Sequence, residues 1–374
     1  MVEIPAFGVE EWLNHWEKQA KYDISQSTIA ALTIDELFKL TGDDETAFFA
    51  NLNQKLENYG WIEGSPAFKQ VVSELYQDIR TDHVLQTNGA TGANLLALYA
   101  LVQPGDHVIA EYPSYQQLYD IPRSLGAEVN FWQIHEEDNW YPDLADLKHL
   151  IRPNTKLICL NNANNPTGTV LDQAFLQEVV KLADQVGAYI LVDEVYQPLD
   201  EGTPVVPIVN LYHRGISTNS LSKTYSLPGL RIGWVVTPDE TLTNQFRKFR
   251  DYTMICGGVL NDALATYALQ HRQVILKRNY ELVRQNYRLY QAWLAKEDRV
   301  EIVMPQMVST SFPKLKINEP TKDFCLRLLK EKGVLLVPGE AFDTPGNVRL
   351  GYCAPVKTLQ TGLARLSEFL NDRK

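Results

Sequence analysis

Residues Ser220–Gly233 read SLSKTYSLPGLRIG, and this run decides the interpretation of the chain. It places Lys223 directly after the pair Ser220 and Ser222, with Arg231 eight residues further on, beyond a Pro-Gly turn. A lysine amine forms a Schiff base with an aldehyde. Hydroxyl groups and a guanidinium together suit a phosphate. The run therefore predicts a site for a small molecule that carries both an aldehyde and a phosphate.

Pyridoxal 5′-phosphate combines these two groups in one small molecule. Its protein must supply an acid at the pyridine nitrogen, hydrogen bonds to the phenolate oxygen, a flat surface against the ring and a phosphate cup. Other parts of the chain contain residue types that suit these four needs.

Acid and amide side chains follow two of the apolar runs. Asp193 ends the run Ile190–Val192, with Tyr196 three residues on. Ligand sites in parallel sheets lie at the carboxyl ends of strands, so Asp193 suits the pyridinium and Tyr196 the phenolate oxygen. Asn165, in the sequence NNPTG, suits the same oxygen. The alternatives are a carboxylate that caps a loop and an ordinary Asn-Pro turn.

A run of small residues, Asn88–Ala93, opens the predicted helix Asn94–Val102. Small residues before a helix leave backbone N–H groups open to an anion, and the helix dipole favours its charge. Ala90 and Thr91 are therefore candidate phosphate ligands. The alternative is a plain helix N-cap.

Two further side chains are candidates on weaker grounds. Tyr115, after Pro113 and Ser114, can stack on a pyridine ring, although the chain has 18 tyrosines and an ordinary core or surface role is the alternative. Arg349 stands in the apolar run Val348–Gly351. A buried arginine needs a partner, and a substrate carboxylate held by both guanidinium nitrogens would be one. The alternative is a solvated arginine on an edge strand.

The pattern of apolar runs predicts an α/β fold. In the middle of the chain short β-rich runs alternate with helical periodicity, which favours a mostly parallel sheet, whereas the last third reads as α+β. We expect a large domain over 41–276 and a small domain from 1–40 and 277–374. The predicted strands are 108–110, 156–160, 188–192, 215–219, 232–236, 333–337 and 347–352, and the predicted helices 9–20, 94–102, 175–186, 277–296, 321–332 and 356–373.

Composition excludes several classes of protein. The 374 residues carry a net charge of -11, which argues against a nucleic-acid partner. The four cysteines are far apart, so neither a metal site nor a disulfide framework is predicted, and a reducing compartment is favoured. There is no signal peptide pattern, and the longest apolar run, Leu95–Val102, is too short for a membrane span. We expect a cytoplasmic protein without a membrane partner.

Four motifs occur together in one chain: NYGWIEG at Asn58–Gly64, NNPTG at Asn164–Gly168, DEVY at Asp193–Tyr196 and the lysine run. With them, nearly the whole chain resembles the class I/II aminotransferases among the fold-type I pyridoxal phosphate enzymes. The resemblance implies a large domain with a mostly parallel seven-stranded sheet flanked by helices and a smaller α+β domain. It also implies transfer of an amino group between an L-amino acid and a 2-oxo acid.

The resemblance also implies a role for each candidate residue. Lys223 resembles the Schiff-base lysine, which moves the proton between the substrate α-carbon and the cofactor C4′. Asp193 matches the pyridinium partner, Asn165 and Tyr196 the phenolate-oxygen contacts, and Tyr115 the stacking aromatic ring. A buried lysine near cationic groups has a lowered pKa, which suits such a nucleophile.

The remaining roles concern the phosphate, the substrate and the partner chain. Arg349 matches the clamp on the substrate α-carboxylate, which Asn165 also borders. Tyr59 matches a tyrosine that reaches the phosphate of the partner subunit's cofactor, which implies a homodimer with shared active sites. The residues that match phosphate ligands are Ala90, Thr91, Ser220, Ser222 and Arg231.

The N-terminal segment departs from the family pattern. Many members have a glycine there that contacts the substrate carboxylate, but Tyr22–Thr28 contains none. Together with Glu11–Leu13 and Phe249–Tyr252, the stretch Ala20–Ser25 resembles the subgroup of capreomycidine synthase, which acts on a hydroxylated arginine by elimination and ring closure. In that subgroup the segment lies over the active site, so Asp23 or Glu11 can meet a cationic substrate side chain. The alternative is an amphipathic helix with a solvated acidic face.

Three hypotheses follow for function. The first is an aminotransferase, and the second is a pyridoxal phosphate lyase or cyclase on an arginine-like substrate, which shares the first steps. The third, from another class, is a ligand-sensing regulator with an aminotransferase-like domain, but only about 40 residues precede the large domain and they contain no DNA-binding motif. An inactive scaffold is disfavoured by the complete set of residues around Lys223.

Overall fold

A seven-stranded sheet forms the centre of the computed structural model, which describes residues 3–54, 58–197, 199 and 205–372. The first six strands are separated along the chain by helical segments, and the seventh begins at the end of the lysine run Ser220–Gly233. In chain order the strands are β1 Val84–Asn88, β2 His107–Tyr112, β3 Glu128–Gln133, β4 Thr155–Asn161, β5 Tyr189–Asp193, β6 Gly215–Ser220 and β7 Ile232–Val236.

The strand order across the sheet is β1-β7-β6-β5-β4-β2-β3. Strands β2 to β6 pair in parallel, whereas β7 runs antiparallel to both β6 and β1. The predicted α/β fold with a mostly parallel seven-stranded sheet is confirmed. The register aligns Asn161 with Asp193, and Asp193 with Thr218, so the carboxyl ends of β4, β5 and β6 meet at one edge.

Helices cover both faces of this sheet, and their buried residues form two apolar cores on either side of it. Capping residues mark several helix starts, because the Asp172 and Asp239 carboxylates each accept a backbone N–H of the first turn. The helices of at least seven residues are Gly8–Trp16, Ile34–Thr41, Glu45–Leu52, Pro66–Ser73, Gly89–Leu101, Gln117–Ser124, Leu144–Leu150, Gln173–Asp184, Glu240–Thr253, Val259–Gln270, Arg272–Leu294, Thr321–Lys332 and Val356–Asn371.

The last third of the chain builds a separate, third apolar core with the N-terminal residues. The predicted strand 333–337 is divided at Leu336. Its first half, Val334–Leu335, pairs in parallel with Tyr22–Asp23. Its second half, Val337–Pro338, pairs with Val348–Gly351, which lies between it and Thr310–Ser311 in a three-stranded sheet. This arrangement agrees with the α+β pattern of the last third.

The division at 41 and 276 stays a proposal, and the helix Arg272–Leu294 runs across the second boundary. The N-terminal residues contact both parts. The Gly8 N–H donates to Gln116 Oε1 over 2.8 Å, and the Trp12 Nε1–H donates to the Leu336 carbonyl over 2.9 Å. A Cβ at Gly8 would lie 2.9 Å from the Ala341 carbonyl oxygen, so only glycine permits this close approach. The N-terminal helix is thereby held over the carboxyl edge of the sheet.

Across the part of the chain that the structure describes, no helix has both the length and the apolar character to span a membrane.

Candidate active site

A cavity of about 570 Å³ opens at the carboxyl edge of the sheet, beneath the N-terminal helix. Its walls come from β4, β5, β6, the loop after β6 and the first turn of the helix Gly89–Leu101. Nine of the twelve predicted site residues line it: Ala90, Thr91, Tyr115, Asp193, Tyr196, Ser220, Ser222, Lys223 and Arg231.

The Lys223 amine is held by a serine of the N-terminal segment. Lys223 Nζ donates to Ser27 Oγ over 2.9 Å, and the Tyr196 hydroxyl donates to the same oxygen, also over 2.9 Å. Lys223 Nζ lies 5.8 Å from the centre of the Tyr196 ring. The Ser27 carbonyl in turn accepts the Ser309 hydroxyl over 2.7 Å. One serine oxygen therefore accepts from both the Lys223 amine and the Tyr196 hydroxyl.

Asp193 is a buried carboxylate at the end of β5, with 3% of its surface exposed. Its Oδ2 accepts Asn94 Nδ2–H over 2.7 Å, and its Oδ1 accepts the Val195 N–H over 3.2 Å. Burial raises the pKa of Asp193 to about 6, while these two hydrogen bonds and the Lys223 charge act in the opposite direction. At neutral pH the group is thus mostly ionised, as a partner for a pyridinium must be.

Asn94 is itself held in place. Its Oδ1 accepts the Thr218 hydroxyl over 2.5 Å, and its Nδ2 lies 3.4 Å from Gln117 Oε1. A side chain with both partners fixed presents its amide N–H to Asp193 in one orientation. The Asp193 carboxylate therefore has in Asn94 a hydrogen-bond donor whose orientation is fixed.

The cavity lining also contains groups that can donate hydrogen bonds to an anion. Asn88 is the N-cap residue of the helix Gly89–Leu101, but its side chain makes no capping hydrogen bond, so among the described residues this side chain does not occupy the first-turn N–H groups. Arg231 Nη1 lies 3.4 Å from Ser222 Oγ. A Cβ at Gly89 would lie only 2.6 Å from Arg231 Nη2, so the absence of a side chain there leaves room for the guanidinium.

Tyr115 stands in the cavity wall against the N-terminal helix. Its ring centre lies 4.9 Å from that of Phe7, at 54° between the planes. Its hydroxyl donates to Glu10 Oε1 over 3.4 Å. Burial, with the Glu10 charge as a smaller contribution, raises the pKa of the hydroxyl well above its usual range, so it stays protonated. Tyr115 thus offers the cavity a neutral aromatic surface.

Arg349 and Asn165 lie behind the cavity wall rather than in it. Arg349 is 3% exposed and belongs to the middle strand of its sheet, so the interpretation as a solvated edge arginine is wrong. Its Nε donates to the Ser25 carbonyl over 3.1 Å, and its Nη1 donates to Asn165 Oδ1 over 3.2 Å. The segment Ser25–Ser27 thus contacts Arg349 at one end and Lys223 at the other.

The structure does not bring Tyr59 to Lys223 within one chain. The Tyr59 side chain is 76% exposed and borders a separate groove of about 960 Å³ together with Trp61 and Ile62. Both of these neighbours are also exposed. This groove is lined largely by apolar side chains and lies open at the surface.

The acidic residues that line the cavity are not the expected Asp23 and Glu11. Glu11 points to solvent, and Asp23 Oδ1 accepts the N–H and the hydroxyl of Ser25. Neither residue lines the cavity, whereas Glu10 and Glu17 do. A helix turns by about 100° per residue, so Glu10 and Glu11 face different directions.

The sequence model of aminotransferase class I and II matches residues 22–366. The chain belongs to this family. Capreomycidine synthase from Streptomyces vinaceus is 32% identical over 98% of the chain and 94% of that protein. The structure of a pyridoxal-phosphate-dependent aminotransferase from Streptococcus suis is 54% identical, with a TM-score of 0.97 over 100% of this chain and 99% of the other. That of the pyridoxal-phosphate-dependent cyclase OrfR is 27% identical, with a TM-score of 0.88 over 100% and 98%.

This aminotransferase-family chain is an enzyme that uses pyridoxal phosphate, and its cavity fits that cofactor. Its lining includes the buried Asp193 carboxylate, the Lys223 and Arg231 side chains and the first helical turn at Ala90 and Thr91. When bound, the cofactor supplies an electron sink for the bonds of the substrate α-carbon. The fit rests on charge: an acid for the ring nitrogen and cationic donors for the phosphate.

Three residues of this family member's site were missed by the sequence analysis: Ser27, Asn94 and Asn161. Asn161 lines the cavity and donates through Nδ2 to the Asp193 carbonyl over 2.9 Å. Asn94 and Asn161 stand next to predicted motifs, in NGATGAN and NNANNPTG. Proximity to a motif was the only signal for them, and the polarity of the segment 25–28 was the only one for Ser27.

We expect Asn94→Leu to weaken cofactor binding in a pH-dependent way. The Asn94 amide lowers the pKa of Asp193, so its loss raises that pKa further above 6 and leaves more of the acid protonated at neutral pH. A hydrogen bond to a charged group contributes about 1.5–3 kcal/mol, which corresponds to roughly ten- to hundredfold in affinity at pH 7. Titration of the cofactor-free protein with pyridoxal phosphate between pH 5 and 9 measures this.

In the wild type the affinity should fall as the pH drops through about 6, and in the variant the fall should occur at higher pH. The control is Leu95→Ala, a substitution at a partly exposed position on the same helix that should leave the profile unchanged. Equal profiles for Asn94→Leu and the wild type would contradict the role of Asn94.

Proposed function

We propose that the enzyme is an aminotransferase that moves an amino group between an L-amino acid and a 2-oxo acid. The main support for this proposal is the position of the Lys223 amine, which Ser27 holds in the same cavity as the Asp193 carboxylate. Membership of the class I and II aminotransferase family and the similarity to the Streptococcus suis aminotransferase support this proposal. A cytoplasmic location stays an expectation from the sequence.

The proposed work of the chain is divided among three groups. Lys223 takes the proton from the substrate α-carbon and delivers it to the cofactor C4′ atom. Ser27 holds the amine in the cavity, because Lys223 Nζ donates to its Oγ, and the Tyr196 hydroxyl donates to the same oxygen. The N-terminal helix keeps bulk water from the cavity, which strengthens the interactions of charged groups inside it.

Arg349 is the proposed clamp for the substrate α-carboxylate. It is buried, and its described hydrogen-bond acceptors are neutral oxygens, those of Ser25 and Asn165. A buried guanidinium without a carboxylate partner is costly, and a substrate carboxylate would supply the missing charge. For this to occur, the segment Ser25–Ser27 must open a path from the cavity to Arg349.

We also propose a homodimer whose two subunits share their active sites. Tyr59, Trp61 and Ile62 form an exposed apolar surface, which is costly in water unless another protein covers it. In the single chain Arg231 is exposed on the phosphate side of the cavity. A second copy that brings its own Tyr59 to this opening would complete the phosphate cup.

A second candidate function is a lyase or cyclase acting on an arginine-like substrate. Glu10 and Glu17 line the cavity, and neither forms an ion pair with another of the described residues. Their described partners are the neutral Tyr115 hydroxyl and Gln26 amide. Two carboxylates without a cation would attract a cationic side chain of the substrate. The similarity to capreomycidine synthase and to the cyclase OrfR supports the same reading.

Lys223→Ala should abolish amino transfer. The purified enzyme is mixed with pyridoxal phosphate, one L-amino acid and one 2-oxo acid, and the new amino acid is quantified by chromatography. Loss of the proton-transfer group lowers turnover by at least about 100-fold. Lys248→Ala, at an exposed position on the helix Glu240–Thr253, is the control and should keep wild-type turnover. Ammonia release by the wild type without a 2-oxo acid would overturn transamination in favour of the second candidate.

Subunit mixing tests the shared active site. Lys223→Ala chains and Tyr59→Ala chains should each be impaired alone. In a mixed dimer, one site combines a wild-type Lys223 with the partner's wild-type Tyr59, so activity should rise when the two variants are unfolded and refolded together. Sedimentation should report a dimer throughout. A mixture no more active than the sum of its parts would show that Tyr59 acts within its own chain or not at all.

The carboxylates of Glu10 and Glu17 in the cavity wall predict that a lyase or cyclase of this kind prefers cationic amino acids. L-arginine and L-citrulline have nearly the same shape and differ in the side-chain charge. We expect the holoenzyme to bind L-arginine about tenfold more tightly or better, and Glu10→Gln with Glu17→Gln to remove this preference. Glu11→Gln, one residue along the same helix but facing solvent, is the matched control. Equal affinity for both amino acids in the wild type would overturn the assignment.

A further inference from the structure

A buried carboxyl group, Glu111, lies one layer behind the active site, on β2. Only 1% of its surface is exposed. Its Oε2 accepts the Asn161 backbone N–H over 3.0 Å, while its Oε1 has no hydrogen-bond partner among the described residues. Burial is the main cause that raises the pKa of Glu111 to about 7. Burial of a carboxyl group with an unpaired oxygen costs more free energy than burial of a leucine at this position would. This cost suggests that the carboxyl group has a function.

From Glu111 a continuous series of hydrogen bonds leads to Arg349. Asn161, whose N–H Glu111 holds, accepts the Asn165 N–H at its Oδ1 over 2.9 Å. Asn165 Oδ1 accepts Arg349 Nη1–H over 3.2 Å. All four residues are at most 3% exposed, so solvent offers no competing partners. One of the two hydrogen bonds of the Arg349 guanidinium is therefore linked, through Asn165 and Asn161, to the Glu111 carboxyl group.

The same strand end holds this turn at a second point. The Asn164 Nδ2–H donates to the carbonyl of Pro113, two residues after Glu111, over 3.2 Å. The turn Asn161–Asn165 is also tied to β5, because the Asn162 N–H donates to the Asp193 carbonyl over 3.0 Å and the Ala163 N–H donates to the Tyr196 carbonyl over 3.1 Å. The contacts from β2 at Asn161 and Asn164 add to these backbone bonds.

We propose that Glu111 is a positioning residue for substrate binding: it holds the turn Asn161–Asn165 so that Asn165 presents Arg349 to the substrate carboxylate. Glu111 does not line the cavity, so it acts through Asn161 and Asn165 rather than on the substrate itself. The inference rests on the proposed role of Arg349 as the carboxylate clamp. It is independent of whether the reaction ends in amino transfer or in elimination.

The test compares two ligands of the holoenzyme that differ in the carboxylate. 2-Aminoisobutyrate has the amine and the carboxylate but no α-hydrogen, so it binds without turnover, and isopropylamine lacks the carboxylate. Their dissociation constants are read from the visible absorbance of the bound cofactor. In Glu111→Leu we expect the affinity for 2-aminoisobutyrate to fall by about tenfold or more, and the affinities for isopropylamine and for pyridoxal phosphate to change by less than about twofold.

Glu111→Gln is the conservative variant, because its amide oxygen still accepts the Asn161 N–H, and it should restore most of the affinity for 2-aminoisobutyrate. His107→Leu is the matched control: His107 is fully buried at the other end of the same strand and bonded to Thr155 and Asn130. It should lower the melting temperature without changing the ratio of the two affinities.

The proposal is overturned if Glu111→Leu weakens both ligands equally, if it behaves as His107→Leu does, or if the wild type does not distinguish the two ligands. None of these readouts needs turnover. A failure of amino transfer in the chromatographic assay is therefore a separate result from a failure of this proposal.

Discussion

The site depends on keeping one buried carboxylate ionised. Burial raises the pKa of Asp193 to about 6, and without the Asn94 and Val195 donors it would rise further. Asn94 can serve because Thr218, on the neighbouring strand, fixes its amide. The parallel register that sets Asp193 beside Thr218 thus does more than build the sheet. It brings together the groups that preserve the charge on which the cofactor's ring chemistry relies.

The N-terminal segment connects the two ends of the substrate path. Ser27 holds the Lys223 amine, and Ser25 holds the Arg349 guanidinium, so one short stretch contacts both the proton carrier and the proposed carboxylate clamp. The helix before it brings Glu10 into the cavity, and the turn after that helix brings Glu17. The proposed proton carrier and the proposed clamp thus share one segment, and the helix before that segment is held by hydrogen bonds to the Leu336 carbonyl and to Gln116.

Much of the fold and site could be predicted because local pattern and motif agreed. The bounds of β7 and of the helix Thr321–Lys332 were predicted to the residue. Strands β1 and β3 were missed because polar residues interrupt their apolar pattern, as in VLQTN and EVNFWQ. The helix at Gly89 was predicted to begin five residues late, since glycine and alanine give no periodic signal. Its true start is what places Ala90 and Thr91 in the first turn.

By itself, the sequence predicted the fold class and the cofactor, which family membership confirms, and it proposed the lysine and its acid, because those depend on residue types at characteristic spacings. Only the tertiary structure decided which side chains serve them. Asn94 bonds to Asp193 across 99 residues of chain, Ser27 to Lys223 across 196 and Glu111 to Asn161 across 50. No local sequence pattern predicts such long-range contacts. It also decided that Glu10 rather than Glu11 faces the cavity, since the direction of a helix face is set by what the helix packs against.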